Sequence, residues 1–188
     1  MSKASSMTFP FTQSWLPEPE PAFCPGIAKI TIGKGKLYLL AELTQTQVAT
    51  TATANQQRLW EQGDVVEFFI QRVGDEDYYE YQIAPNGMML SLHYPDRAAI
   101  AEVRNGVSKM EEYLSDLPMK GSATVTPIGW NATLTIPVTT SMGDHFLVNC
   151  GRYDYSSGIA PVISSTSTLI QRDFHRLEDW REIILMEE

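Results

Sequence analysis

Planar polar side chains recur between Trp60 and Pro95, where they alternate with apolar residues. Glu67, Glu80 and Gln82 point away from the apolar faces of their predicted strands. Carboxylates and amides suit vicinal hydroxyls, which both donate and accept hydrogen bonds. Two acids on adjacent strands also suit a glycoside hydrolase. Because such pairs are common in sheets, we predict a binding site for a hydroxylated ligand and no enzyme.

Tryptophans near these strands offer aromatic partners. Trp60 lies in a polar loop before a strand, where its ring can stack on the apolar C–H face of a sugar or plug the end of the fold. Trp180 precedes the last predicted strand. Its ring either covers the core or contacts a ligand, and the sequence leaves both alternatives open. Trp130 shares an alternating apolar face with Ala132, Leu134 and Ile136, which predicts a core position.

A predicted hairpin decides which polar side chains share a face. Asn86-Gly87 between two alternating runs is a strong signal for a two-residue turn. This turn pairs Gln82 with Ser91 and Glu80 with His93, and leaves the opposite face apolar. Because cross-strand neighbours lie about 5 Å apart, the register predicts one outward polar patch that also includes the acid of the preceding strand.

Short alternating segments dominate the remaining chain. About nine strands with little helix favour an all-β fold, an antiparallel β-sandwich that is jelly-roll-like with at most one or two short helices. A closed barrel is the open alternative. Prolines at positions 17, 19, 21 and 25 predict that residues 1–25 form an irregular arm packed on the domain. Residues 26–188 are then a single ligand-binding domain.

The sequence predicts the local structure of four further segments. Residues 44–59 are rich in Thr and weakly periodic, which predicts a long loop, and residues 153–173 predict a second loop. Residues 96–117 predict a short helix or two strands, because Asn105-Gly106 interrupts the pattern. The apolar run at residues 36–43 predicts a strand that is buried on much of both faces.

Composition excludes several classes of function. The net charge is −9 and the 14 basic residues are scattered, so nucleic acid is not an expected partner. No apolar run reaches the length of a membrane helix. The N-terminus lacks the apolar centre of a signal peptide, so we expect a cytoplasmic protein, or a secreted or periplasmic one if a signal was removed. Cys24 and Cys150 are expected to be unlinked, and no metal-ligand or nucleotide-binding motif occurs.

A run of motifs resembles the family 9 carbohydrate-binding modules and the related DOMON-like domains. It begins with W-x-x-G-D-V-V-E-F-F-I at Trp60 and continues through a charged turn to Y-Y-E-Y-Q-I-A-P-N-G. The segments K-L-Y-L-L-A-E-L, W-N-A-T-L-T-I-P, L-V-N-C-G-R-Y-D and D-F-H-R-L-E-D-W-R-E-I-I-L also fit, so the resemblance covers roughly residues 27–186. It implies a jelly-roll-like sandwich without catalytic activity. Sugar-binding members hold a saccharide between two aromatic side chains, whereas other DOMON-like domains bind haem.

The resemblance assigns roles to individual residues. Trp60 is similar to one stacking aromatic, and Glu67, Gln82 and Asn149 are similar to the polar partners of the sugar. The second aromatic departs from the family pattern; the candidates are Trp180, Tyr153 and Tyr155, with Arg152 a candidate for the position of a tryptophan. The predicted site has no catalytic or metal-binding member and comprises Trp60, Glu67, Gln82, His93, Asn149 and Trp180.

The sequence thus predicts a module that binds a carbohydrate without transforming it and needs no cofactor. The alternatives are a domain that binds haem or another small molecule, and a module whose sheet meets a partner protein. In the haem hypothesis the ligands would come from the three histidines together with nearby methionines.

Overall fold

Eleven strands and one α-helix form the fold of the computed structural model, which describes residues 5–33, 35–141, 143–158 and 160–185. The strands are β1 (Ser5–Pro10), β2 (Gly26–Gly33), β3 (Lys36–Thr44), β4 (Val65–Arg72), β5 (Tyr78–Ile83), β6 (Met89–Tyr94), β7 (Lys120–Thr126), β8 (Gly129–Pro137), β9 (His145–Asp154), β10 (Val162–Ser165) and β11 (Arg181–Ile184). The helix α1 spans Arg97–Arg104, and short 3-10 helices lie at Leu59–Glu61, Met110–Tyr113 and Leu177–Asp179.

The strands build two antiparallel sheets. The first sheet has the order β1-β2-β3-β8-β7, and the second has the order β10-β9-β4-β5-β6, with β11 also paired to β9. Apolar side chains from the facing surfaces form a core between them, which includes Trp130 as a fully buried residue. The prediction of an all-β sandwich is confirmed, and the barrel alternative is wrong.

A second apolar layer covers the outer face of the second sheet. Its members come from the long loop after β3, from the helical segment after β6 and from the segment before β11: Ala52, Leu59, Ala99, Met110, Leu169, Phe174, Leu177 and Trp180. The second sheet is therefore buried on both faces. The first sheet keeps an exposed outer face, where Tyr38 is 44% exposed, so the prediction that β3 is buried on both faces is wrong.

The β5–β6 turn explains an error of one residue in the predicted register. Ala84 N–H donates to Met88 O over 2.9 Å, which leaves a three-residue loop at 85–87. Gly87 has φ +84°, while Asn86 is not among the residues with positive φ. Pro85 fixes the backbone for the first central position of a type I turn, and such turns close three-residue hairpins with a left-handed residue.

The shifted register reverses one face of the sheet. Gln82 pairs with Leu90 and Glu80 pairs with Leu92, rather than with Ser91 and His93. The predicted patch that joined His93 and Ser91 to the acidic side chains is therefore wrong, because alternate residues of a strand point to opposite faces.

Other segment predictions have mixed outcomes. Residues 5–10 form an edge strand rather than part of an irregular arm, and residues 1–4 of the predicted arm lie outside the described residues. The predicted loop at 153–173 contains β10, which pairs with β9.

The helical alternative for 96–117 is confirmed: α1 is capped by the Asp96 carboxylate, which accepts from the backbone N–H groups of Ala98 and Ala99. Cys24 and Cys150 are both free, as predicted.

Candidate functional site

A cavity of about 250 Å³ lies between the outer face of the second sheet and the segments that cover it. Its floor comes from β4 and β5, and its walls include α1, the first two 3-10 helices and the segment at 172–175. The lining side chains are Arg58, Trp60, Glu67, Glu80, Tyr94, Ile100, Val103, Arg104, Met110, Tyr153, Ile163, Arg172, Asp173, Phe174 and His175. The cavity thus combines aromatic walls with a polar floor, as ligand sites do.

Gly63 and Asp64, the G-D pair of the motif that begins at Trp60, position the loop that carries the Trp60 ring. Gly63 has φ +132°, and a Cβ there would lie 2.4 Å from Ala49 O, so only glycine fits this close approach. The buried Asp64 carboxylate accepts from Ala49 N at 2.6 Å and from Tyr155 N at 2.7 Å. These bonds hold the long loop against β9, and Trp60 lies on that loop, half-buried.

Two buried carboxyl groups and one amide form the floor. Gln82 Nε2 donates to Glu67 Oε1 at 2.9 Å and also to Glu80 Oε1. Because both carboxyl groups accept from the same nitrogen, they lie side by side on adjacent strands. All three residues are at most 3% exposed. We name Glu67, Glu80 and Gln82 the floor triad.

Burial changes the protonation of the floor triad. Burial raises the pKa of Glu80 to about 7, although the hydrogen bond from Gln82 and the charge of Arg104 oppose this. Burial, together with the charge of Glu80, raises the pKa of Glu67 well above its usual range. At neutral pH the pair therefore retains protons, and its oxygens can both donate to and accept from a ligand.

His175 contacts the floor from the segment above it. Its Nδ1 lies 2.9 Å from the Tyr78 hydroxyl, and its Nε2 lies 3.7 Å from Glu80 Oε2. Burial and the nearby Arg104 lower the pKa of His175 to about 3, against a smaller opposing effect of Asp173. The imidazole is therefore neutral at physiological pH.

The aromatic wall opposite the helix depends on a glycine in β9. A Cβ at Gly151 would lie 2.4 Å from two ring carbons of Phe174, so the missing side chain lets this ring lie directly on the strand. Tyr153 points to the same face and packs edge-on to Phe174, with ring centroids 5.7 Å apart. Of the candidates for the second aromatic, Tyr153 lines the cavity.

Trp180, Tyr155 and Arg152 lie elsewhere. Trp180 is 6% exposed and donates from Nε1 to Phe174 O at 2.8 Å, so it supports the wall from behind. The Tyr155 hydroxyl donates to Trp60 O at 2.6 Å. Arg152 points to the opposite face of β9, where it pairs with Asp154 at 2.8 Å.

The structure brings together only part of the predicted site. Trp60 and Glu67 line the cavity, and Gln82 lies beneath them. Asn149 is buried outside it, where its Oδ1 accepts from Ser165 Oγ at 2.7 Å. His93 also lies outside, stacked on Tyr79 with ring centroids 4.3 Å apart. Asn149 and Trp180 hold segments around the cavity, whereas His93 lies on the opposite face of the sheet, with its Nε2 2.6 Å from an Asp77 oxygen.

The sequence prediction missed several lining residues. Arg58, Arg104, Arg172 and Asp173 come from segments interpreted as loops or as an undecided helix. His175 was not assigned to the sugar site, although it lies in the quoted D-F-H-R segment. That motif was the signal that could have placed it at the site.

Fold and cavity together define a β-sandwich binding module with a polar-floored ligand site. The chain belongs to carbohydrate-binding family 9, whose family profile matches residues 12–154. It is a carbohydrate-binding module, and the resemblance of its motifs to the family 9 modules is confirmed. Comparison with curated protein sequences finds no match.

Solved structures show the same fold. A candidate carbohydrate-binding protein from Bacteroides uniformis superposes with a TM-score of 0.69 at 17% identity, over 94% of this chain and 84% of that one. A family 9 module from Caldicellulosiruptor kristjanssonii in complex with cellotriose has a TM-score of 0.63 at 14% identity, over 88% and 76% of the two chains. Its complex with glucose gives the same score and identity over 88% and 78%.

Within the described ranges, two further features are absent. No helix there is long and apolar enough to cross a membrane. The same residues contain no group of three or more His, Cys, Asp or Glu that could hold a metal ion.

We predict that Gly151→Ala destabilises the fold by about 1–3 kcal/mol, because the added methyl group collides with the Phe174 ring. The free energy of unfolding from denaturant titration measures this cost. A double-mutant cycle with Phe174→Leu is the control, since a smaller side chain at 174 relieves the collision. Additive costs in the double mutant would contradict the packing role of Gly151.

We also predict that stability falls as pH rises from 6.5 to 8.5. The folded floor triad retains protons that the unfolded chain releases near pH 4.5, so folding becomes less favourable as pH rises through the folded pKa values. His175 has a lowered folded pKa, so its effect is confined to pH values below about 6.5 and leaves this window clear. The loss should be on the order of 1–2 kcal/mol.

Glu67→Gln should at least halve this loss, because the amide cannot titrate and can still accept from Gln82. The matched control is Glu42→Gln on the exposed face of β3, which should leave the pH slope unchanged. Equal slopes for Glu67→Gln and the unmodified protein would show that the buried pair is not the cause.

Proposed function

We propose that the cavity above the floor triad binds one sugar ring of a saccharide without transforming it. The observation that carries this proposal is the floor itself: buried carboxyl groups that both donate and accept, next to the half-buried ring of Trp60. Sugar hydroxyls need such mixed partners, and the apolar face of a sugar ring needs an aromatic one. The solved family 9 complexes with glucose and with cellotriose support a saccharide ligand.

The size of the cavity supports a single enclosed ring. Its volume of about 250 Å³ lies below the range of about 300–1,000 Å³ that is typical of pockets for drug-sized ligands. A longer saccharide would therefore place one unit in the cavity and extend into solvent.

The placement of the acids supports binding without catalysis. A glycoside hydrolase needs two carboxyl groups that flank the scissile bond. Here Glu67 and Glu80 project from adjacent strands to the same floor and share the Gln82 amide. Both carboxyl groups meet a ligand from the same side. Neither is therefore placed to attack the sugar carbon while the other protonates the oxygen of the leaving group.

The residues of the cavity do not fit haem. A haem iron needs a histidine with a free nitrogen facing open space. The Nδ1 of His175 is bonded to Tyr78, and its Nε2 faces Glu80 over 3.7 Å. The cavity volume is also small for a macrocycle. The proposal therefore requires no cofactor, and the absorbance spectrum after addition of haem tests this: a Soret band of a bound haem would contradict it.

We predict that Trp60→Ala reduces saccharide binding at least tenfold in calorimetric titration with cellotriose and glucose, because the stacking surface is lost. The cost in stability should stay below about 1 kcal/mol, since the ring is only half-buried in a loop. The matched control is Trp130→Ala, which should cost about 3–5 kcal/mol because Trp130 is fully buried. A similar cost for Trp60→Ala would make Trp60 a core plug and contradict stacking.

The floor gives a separate prediction. Gln82→Ala should weaken saccharide binding about tenfold or more, because the two carboxyl groups lose the donor that aligns them. Glu67→Gln should weaken binding by a similar factor, since one acceptor oxygen becomes an amide donor. Gln47→Ala and Glu42→Gln, at exposed positions outside the cavity lining, are the matched controls. Unchanged affinity in both floor variants, with the protein folded, would move the site elsewhere.

A further inference from the structure

Three guanidinium groups converge on the cavity of an acidic protein. Arg58, Arg104 and Arg172 all line it, and no lysine does so among the residues that the structure describes. They are three of only 14 basic residues in a chain of net charge −9. They come from three separate segments, which are the loop before β4, the helix α1 and the segment before β11.

Two of these arginines are already paired with acids. Arg104 makes a two-pronged contact with the Asp173 carboxylate, with distances of 2.8 and 3.0 Å. Arg58 lies 3.1 Å from Glu111 and 3.5 Å from Glu61. Neighbouring carboxylates of the protein thus compensate the positive charges of both side chains.

Arg172 differs from the other two. Among the residues that the structure describes, its guanidinium has no hydrogen bond and no ion pair, and the residue is exposed. It lies next to Asp173, whose carboxylate is occupied by Arg104. Arg172 therefore presents all its donors to the cavity and to the solvent at the cavity opening.

The charges of the two paired arginines are balanced locally. Asp173 pairs with Arg104, and the pKa of its carboxyl group is lowered despite burial because Arg104 and the His175 backbone donate hydrogen bonds to it. Glu61 and Glu111 pair with Arg58. Arg172 is therefore the lining guanidinium that no carboxylate of the described residues pairs with, and the carboxylate of an anionic ligand would supply this partner.

We infer that the enclosed sugar carries a carboxylate, as a hexuronic acid does, and that Arg172 binds this carboxylate at the cavity opening. The inference rests on the proposed saccharide site and names the class of its ligand. The hydroxyls of the sugar lie on the floor triad, and the carboxylate points away from it toward the arginines. A planar guanidinium matches a planar carboxylate through two parallel hydrogen bonds, which a lysine would not provide.

The experiment compares three probes on the full chain by calorimetric titration: D-glucose, D-glucuronate and D-glucose 6-phosphate. We expect glucuronate to bind at least tenfold more tightly than glucose at low salt, and this ratio to decrease as salt is added. Equal affinity, or tighter binding of glucose, would overturn the inference while leaving the proposed saccharide site intact. Absence of binding for all three probes would instead count against the proposed site.

Variants of Arg172 connect the preference to this residue. Arg172→Gln should bring the ratio of the glucose and glucuronate dissociation constants close to one, and Arg172→Lys should restore it only in part. The matched control is Arg97→Gln, which removes a surface arginine that pairs with Glu178 at 3.2 Å and lies outside the cavity lining. An unchanged ratio in Arg172→Gln would overturn the role of Arg172. Tighter binding of glucose 6-phosphate than of glucuronate would overturn the choice of a carboxylate.

Discussion

The buried hydrogen bonds between the Gln82 amide and the two carboxyl groups are the interaction on which the site depends. Taking a carboxylate out of water is costly unless hydrogen bonds or protonation compensate for it. Here both occur, because one amide nitrogen donates to both acids and burial favours their neutral forms. The Gln82 Oε1 atom remains buried without a partner among the described residues, so the network is not fully satisfied. Such incomplete satisfaction is typical of a site arranged for a ligand rather than for stability alone.

The covering layer makes this network possible, and buried polar side chains hold that layer in place. Asp64 binds the loop of Trp60 by accepting from backbone N–H groups on two different segments. Asn149 does the same for the segment before β11, since its Oδ1 accepts from Ser165 Oγ and from Ser167 N at 3.2 Å. Both residues are fully buried. Their polar groups replace the regular hydrogen bonds that loops lack, so the cavity walls are ordered without secondary structure.

The alternation of apolar and polar residues predicted the strands well, because the period of two follows from the local geometry of the strand backbone. It predicted Trp130 as core for the same reason. The register of the β5–β6 hairpin failed because Pro85 lengthens the turn by one residue, which outweighed the signal of Asn86-Gly87. The strand at residues 5–10 was missed because it lies at an edge, where sequence pattern is weak. Arg104 could not be assigned to the site, since its contact with Asp173, about 70 residues away in the chain, leaves no local pattern.

The sequence wrongly predicted that the polar face of the second sheet points to solvent. The residues that caused this error are the same residues that form the floor of the site. Glu67, Glu80 and Gln82 alternate with apolar residues, and alternation normally indicates one buried and one solvated face. The structure instead covers the polar face with a second apolar layer, which packs on Phe69 and Leu92 of the sheet beside the acids. Polar residues on such a face reduce stability, so a fold that only needed a core would have no reason to place them there. Their burial concentrates donors and acceptors where water competes poorly, and this is the condition under which a few hydrogen bonds can distinguish one sugar from another.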